Sequence, residues 1–139
     1  MSRGADLPGR SAGRREARER ALELAYEANQ RQITAGELLA ALPVAPTPFA
    51  VELLTAAEEN RERAEELIAN RATGWSLDRM PVMDRLVMRM AVAEMLALPT
   101  PTGVVLSEAV ELAKRYSTDE SGRFVNGVLA AIARQVRPK

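Results

Sequence analysis

Apolar residues recur along this chain at helical spacing. Ala17, Ala21, Leu24, Ala25 and Ala28 fall three or four residues apart. They predict a helix from Arg14 to about Gln30 with one narrow apolar stripe, and Leu22 and Tyr26 form an i, i+4 pair beside it. Thr34-Ala-Gly-Glu37 reads as a capping box that opens a short helix through about Leu42. Pro43 to Pro46 breaks it. Thr47-Pro48 then sets an N-cap before a proline at the first helical position. The helix that follows turns Phe49, Leu53, Leu54 and Ala57 inward. The charged run Glu58–Arg71 has Ala64, Leu67 and Ile68 as its apolar face. It is either a continuation of that helix or a second one after a kink near Asn60.

Thr73-Gly74 ends this section, and Trp75 and Leu77 are expected to anchor a connector to the core. Pro81 starts the most apolar helix, which runs to about Leu98. Val82, Met83, Leu86, Val87, Met90, Ala91 and Met95 cover most of its circumference, so it should be central. Pro99 and Pro101 stop it and restart the chain. Val104, Val105, Ala109, Leu112, Ala113 and Tyr116 mark the next amphipathic helix. Ser117-Thr-Asp-Glu120 reads as another capping box. The last helix buries Phe124, Val125, Val128, Leu129 and Ile132, and the tail Arg137-Pro-Lys139 is expected to fray. Gly127 costs a helix about 1 kcal/mol against alanine. A close helix crossing would offset that cost, with Asn126 bonding a buried backbone group. No stretch alternates for long enough to be a strand, and no repeat recurs at solenoid spacing. The expectation is an all-α domain of six or seven helices, residues 14–139, divided near Gly74 into sub-bundles of about 14–73 and 75–136. Residues 1–13, rich in Gly, Ser, Arg and Pro, read as a disordered basic arm.

Composition sharpens this picture. Of 139 residues 47% are apolar but only 4% aromatic, so the core is built from Ala, Leu, Val and Met, mostly good helix formers. Cysteine and histidine are both absent. Disulfides, cysteine-based zinc sites and the usual neutral-pH general base are thereby excluded. No catalytic residue, metal or cofactor is expected. The acids Glu58, Glu59, Glu62, Glu65 and Glu66 read as a solvated helix face, not as a metal site. No apolar stretch approaches the roughly twenty residues that span a membrane, and arginines and acids fill the first turns where a signal peptide would be apolar. A cytoplasmic location is the expectation. The formal charge is zero, but residues 1–20 carry +3, residues 21–72 carry −5 and residues 73–139 carry +2. A basic start beside an acidic stretch suits a polyanion site with negative surface elsewhere to discourage indiscriminate binding.

Two segments go beyond generic helix. Arg14-Arg-Glu-Ala-Arg-Glu-Arg-Ala-Leu-Glu-Leu-Ala-Tyr26 resembles the opening helix of the NusB family of transcription antitermination factors. Glu108-Ala-Val-Glu-Leu-Ala-Lys-Arg115 in register with Arg123-Phe-Val-Asn-Gly-Val-Leu129 resembles its closing half, and the stretch from Trp75 through Glu94-Met95 is also similar. The resemblance covers nearly the whole chain from Arg14 onward. Ser107 stands where the family usually has Asn, and Leu106 where it usually has Ile. Membership would imply two three-helix sub-bundles and binding to boxA, a short single-stranded RNA element of ribosomal RNA transcripts. It would also imply a heterodimer with NusE, the small-subunit ribosomal protein, acting with NusA, NusG and RNA polymerase to suppress premature termination.

Residue by residue, the resemblance assigns RNA contact to Arg14, Arg15 and Arg18. Guanidinium forks suit the phosphates and base edges of single strands. Arg3 and Arg10 lie outside the match. It assigns further RNA contact to Arg123 and Phe124 at the start of the last helix, where free N–H groups and a stackable ring meet. Lys114, Arg115, Glu120 and Ser121 belong to the same region, with Glu120 read as a helix cap that tunes specificity. Tyr26 and Asp84 match positions used against NusE, with Arg85 and Arg89 flanking. Alternatives are a non-catalytic helical scaffold, an accessory domain of an RNA-modifying system, and a homodimer that hides the RNA surface.

Overall fold

The structure is a computed structural model that describes residues 8–74, 76 and 79–138. Among these residues there are seven α-helices and no strand: α1 (Pro8–Arg31), α2 (Ala35–Ala41), α3 (Pro48–Glu59), α4 (Arg61–Arg71), α5 (Val82–Ala97), α6 (Thr102–Tyr116) and α7 (Asp119–Val136). The expected anchors Trp75 and Leu77 lie outside the described residues.

The chain divides into two compact units, 1–55 and 56–139. The boundary therefore falls within α3, not at Gly74 as the sequence suggested. The reason is α4. Its apolar face of Ala64, Leu67 and Ile68 is buried, and the helix packs against α5 and α7 of the second unit.

In the first unit, α1 begins at Pro8. Proline suits a first helical position, so six residues read as free arm are helix instead; residues 1–7 lie outside the described residues. Ala17, Ala21, Leu22, Leu24 and Ala28 are buried, which places Leu22 in the core and not beside it. The helix ends in a Schellman turn. Ile33 N–H donates to Ala28 O at 3.0 Å and Gln32 N–H to Asn29 O at 3.3 Å. Gln32 takes φ of 59° there, a left-handed conformation usually left to glycine. The capping box at Thr34 forms as expected: Glu37 N–H donates to Thr34 Oγ1 at 3.0 Å, and Thr34 N–H to Glu37 Oε1 at 2.9 Å.

In the second unit, α5 contacts α4, α6 and α7, and every residue from Leu86 through Met95 is buried. This is the central helix that its apolar circumference predicted. Asn60 separates α3 from α4, settling the question of a kink. Its N–H donates to Ala56 O at 3.0 Å and its side-chain Nδ2 to the same oxygen at 2.8 Å, while its own carbonyl accepts from Ala64 N–H at 2.8 Å.

Three local expectations change. The cap of α7 is Thr118, not Ser117: Thr118 Oγ1 accepts from Ser121 N–H at 3.0 Å. Glu120 accordingly sits exposed in the first turn, where a negative charge favours the helix dipole, and it is not the cap. Gly127 marks no close crossing among the described residues, since a Cβ built there would meet none of them within 4 Å, and Asn126 is exposed. The close approach is at Gly122, where a Cβ would lie 2.7 Å from Lys114 Cγ. Arg137 does not fray. Its guanidinium donates to Met95 O at 3.0 Å, Leu98 O at 2.6 Å, Thr102 Oγ1 at 3.1 Å and Glu94 O at 3.5 Å, and also to Thr100 O. One side chain thus supplies donors to carbonyls at and just beyond the end of α5, including Met95 O, whose usual helical donor would be the N–H that Pro99 lacks.

Candidate nucleic-acid interface

In the first unit the basic residues organise around an aromatic ring. Arg14 and Arg18 are one turn apart on α1 and so share a face. Both guanidinium carbons lie over Phe49 in the first turn of α3, at 4.4 Å and 5.0 Å from its centroid. The proline before Phe49 suits this placement. Pro48 opens α3, with Thr47 O accepting from Val51 N–H at 3.1 Å, so the next residue projects from a defined first turn. Two like charges repel; the negative face of one ring attracts both. Exposure divides the three arginines. Arg15 is exposed and Arg14 half-buried, whereas Arg18 is 4% exposed. Arg18 contributes charge and packing, and Arg14 and Arg15 present the forks.

The sequence pattern places Phe49 in the core only. It is half-buried. The signal available was weak: it is one of two phenylalanines in the chain, and nothing local links it to a helix more than thirty residues earlier.

On the same unit, Tyr26 is 40% exposed, one of few large apolar side chains at the surface. The ion pairs near it are solvent-facing: Arg20 with Glu23 at 3.6 Å and Arg31 with Glu27 at 3.1 Å. Pairs of this kind contribute little to stability.

In the second unit, α6 and α7 form an open groove of about 690 Å³. Lys114 and Arg123 both line it, with Asn126 and Ser107, so two of the expected RNA contacts come together. Glu111 and Asp119 line it too; Glu111 lies 4.0 Å from Lys114 Nζ. Arg115 is exposed, with its guanidinium 5.8 Å from the Tyr116 ring centroid. Phe124 is half-buried, between the stacking and the core readings.

Ser121 is placed differently from expectation. It is 5% exposed and its Oγ donates to Asp84 Oδ2 at 3.0 Å, with Thr118 Oγ1 and Ser117 Oγ also 3.0 Å away. Asp84, expected at a partner surface, is itself only 3% exposed. Arg89, expected to flank that surface, is buried and pairs with Glu65 Oε2 at 3.0 Å. Burial pushes the Arg89 guanidinium below its ordinary value, and the hydrogen bond to Glu65 opposes the shift. Arg85 is half-buried, and its enclosed Nε has no hydrogen-bond partner among the described residues. Apolar neighbours at i±3 and i±4 carry these polar residues inward, because nearly the whole circumference of α5 is enclosed.

Among the described residues no group of acids could hold a metal ion, and no helix is long and apolar enough to cross a membrane. Fold and charged face together define an all-helical domain with an arginine-rich first helix braced by an aromatic ring.

The NusB family model matches residues 15–134, and the chain belongs to the NusB family. It is 43% identical over 128 residues to the transcription antitermination protein NusB of Thermobifida fusca (strain YX), covering 88% of this chain and 90% of that one. Against its counterpart in Salinispora tropica the identity is 44%, covering 86% of this chain and 94% of that one. Among solved structures, T. maritima NusB superimposes with a TM-score of 0.78 at 32% identity, over 88% of this chain and 91% of that one. A chain from a crystal structure of antitermination factors NusB and NusE with dsRNA superimposes with a TM-score of 0.74 at 29% identity, over 89% of this chain and 98% of that one.

Proposed function

We propose that this chain is a transcription antitermination factor that binds boxA-type single-stranded RNA together with NusE, and that it works in the cytoplasm. The observation that carries this reading is the arginine cluster of α1. Arg14 and Arg18 are held on Phe49 with exposed Arg15 adjacent in sequence. Arginine forks held in fixed directions suit phosphates and unpaired base edges. The NusB–NusE–dsRNA complex supports the choice of RNA and NusE as partners.

Arg14 and Arg15 make the direct RNA contacts, and Arg18 supports them from its buried position. Within the second unit, Arg123 and Lys114 from the α6–α7 groove and Phe124 at the start of α7 make further RNA contacts, with Arg115 and Glu120 exposed nearby in sequence. Tyr26 is the anchor for NusE: a rigid aromatic side chain gains contact area at low entropic cost. Asp84, Arg85 and Arg89 act by holding the α5 end of the second unit in shape. NusA, NusG and RNA polymerase complete the assembly. The chain's own work is binding, and no catalytic step is assigned to it.

The test is a fluorescence titration of boxA RNA and a scrambled control, with and without NusE, at several salt concentrations. Preference for boxA that sharpens with NusE is expected. For two or three phosphate contacts the logarithmic salt slope should be about −1.4 to −2, from about −0.7 per contact on single strands. Equal weak binding to both RNAs, indifferent to NusE, would refute the reading.

A further inference from the structure

We infer that Phe49 is a positioning residue for RNA binding: its ring sets the direction of the Arg14 guanidinium and makes the pairing of Arg14 with Arg18 tolerable. This rests on the RNA-binding reading of the α1 arginines.

The geometry is specific. One half-buried ring has two guanidinium carbons over it, at 4.4 Å and 5.0 Å. Arginine stacks on aromatic faces through its planar, weakly hydrated group. An arginine free in solvent samples many rotamers and loses them on meeting RNA. On the ring, part of that loss precedes binding, which is the usual gain from preorganisation. Arg18 has a second need for the ring. It is 4% exposed, and a buried cation requires compensation. The ring face supplies part of it where leucine would supply only volume.

The experiment compares Phe49→Leu, Phe49→Trp and Phe49→Met in the full chain, each checked for fold by circular dichroism and thermal melting. Affinity for boxA RNA is read from fluorescence titration. Phe49→Leu should weaken RNA binding about two- to five-fold, the range of a partly exposed cation–π contact, and Phe49→Trp should restore it. If Phe49→Leu fails to fold, Phe49→Met takes its place. A second arm repeats the substitution in an Arg14→Ala, Arg18→Ala background, where it should have no further effect because the groups it positions are gone.

If Phe49→Leu weakens binding equally in both backgrounds, the ring acts independently of the arginines, by stacking on a base or through the fold, and the inference falls. It falls also if folded Phe49→Leu protein binds as the parent does while the double arginine variant is weak; the RNA reading then stands. If the double arginine variant itself binds as the parent does, the RNA reading of α1 fails first.

Discussion

Ser121 Oγ donates to Asp84 Oδ2 at 3.0 Å, joining two side chains 37 residues apart in the first turns of α7 and α5. Both are buried. The start of α7 is thus held twice, by Thr118 Oγ1 accepting from Ser121 N–H and by the Ser121 hydroxyl donating a hydrogen bond to Asp84 on another helix. Arg123 and Phe124 follow within one turn, so their directions depend on this bond.

Removing the donor should therefore cost stability. Ser121→Ala leaves Asp84 buried without it, a loss of about 1–3 kcal/mol for an unsatisfied buried group. Asp84→Asn keeps an acceptor and should cost less. Urea denaturation of the two variants gives the order, and equal midpoints for Ser121→Ala and the parent would show that the bond contributes nothing.

Arg137 should matter more than its place near the chain's end suggests. Arg137→Ala withdraws donors from four backbone carbonyls between Glu94 and Thr100. The expected cost is about 1–3 kcal/mol, seen as a lower melting temperature. Arg137→Lys should recover only part, since one ammonium cannot reproduce the guanidinium fork. Full recovery by lysine would reduce the role to charge at a helix C-terminus.

The two glycines of α7 should respond differently to alanine. Gly127 is exposed with open space around its missing Cβ, so Gly127→Ala should stabilise by about 0.5–1 kcal/mol through helix propensity and a less flexible unfolded chain. In Gly122→Ala the new Cβ meets Lys114 Cγ at 2.7 Å and Cδ at 3.0 Å. Because Cγ lies near the root of the side chain, the whole lysine must move, and the propensity gain should be cancelled. Thermal melts of both variants decide this; an equal gain at both sites would mean that Lys114 yields freely.

Tyr26→Asp should separate partner binding from folding. With 40% of its surface exposed and the rest packed, the substitution should cost about 1 kcal/mol, well short of unfolding the chain. NusE affinity should fall by at least tenfold, the scale of an aromatic interface anchor of about 1.4 kcal/mol or more. RNA affinity of the chain alone should remain. Isothermal titration against NusE and RNA reads both, and undiminished NusE binding would remove Tyr26 from the interface.

Much of this protein is legible in its sequence because helices are local objects. Spacing of Ala17, Ala21, Leu24 and Ala28 marks α1, the Thr34–Glu37 box marks α2, and the apolar circumference from Leu86 to Met95 marks α5 as central. Each rests on interactions within three or four residues, or on burial of a periodic face. The arginine run and the family resemblance likewise needed only adjacent positions. Tertiary structure decided what depends on side chains far apart in sequence: that Phe49 braces Arg14 and Arg18, that Asp84 faces Ser121, that Arg137 closes the end of α5, and that Gly122, not Gly127, lies close against a neighbouring side chain. Long side chains reach several ångströms from their helices, and which partner they meet follows from how the helices pack, a three-dimensional fact that no period along the chain encodes.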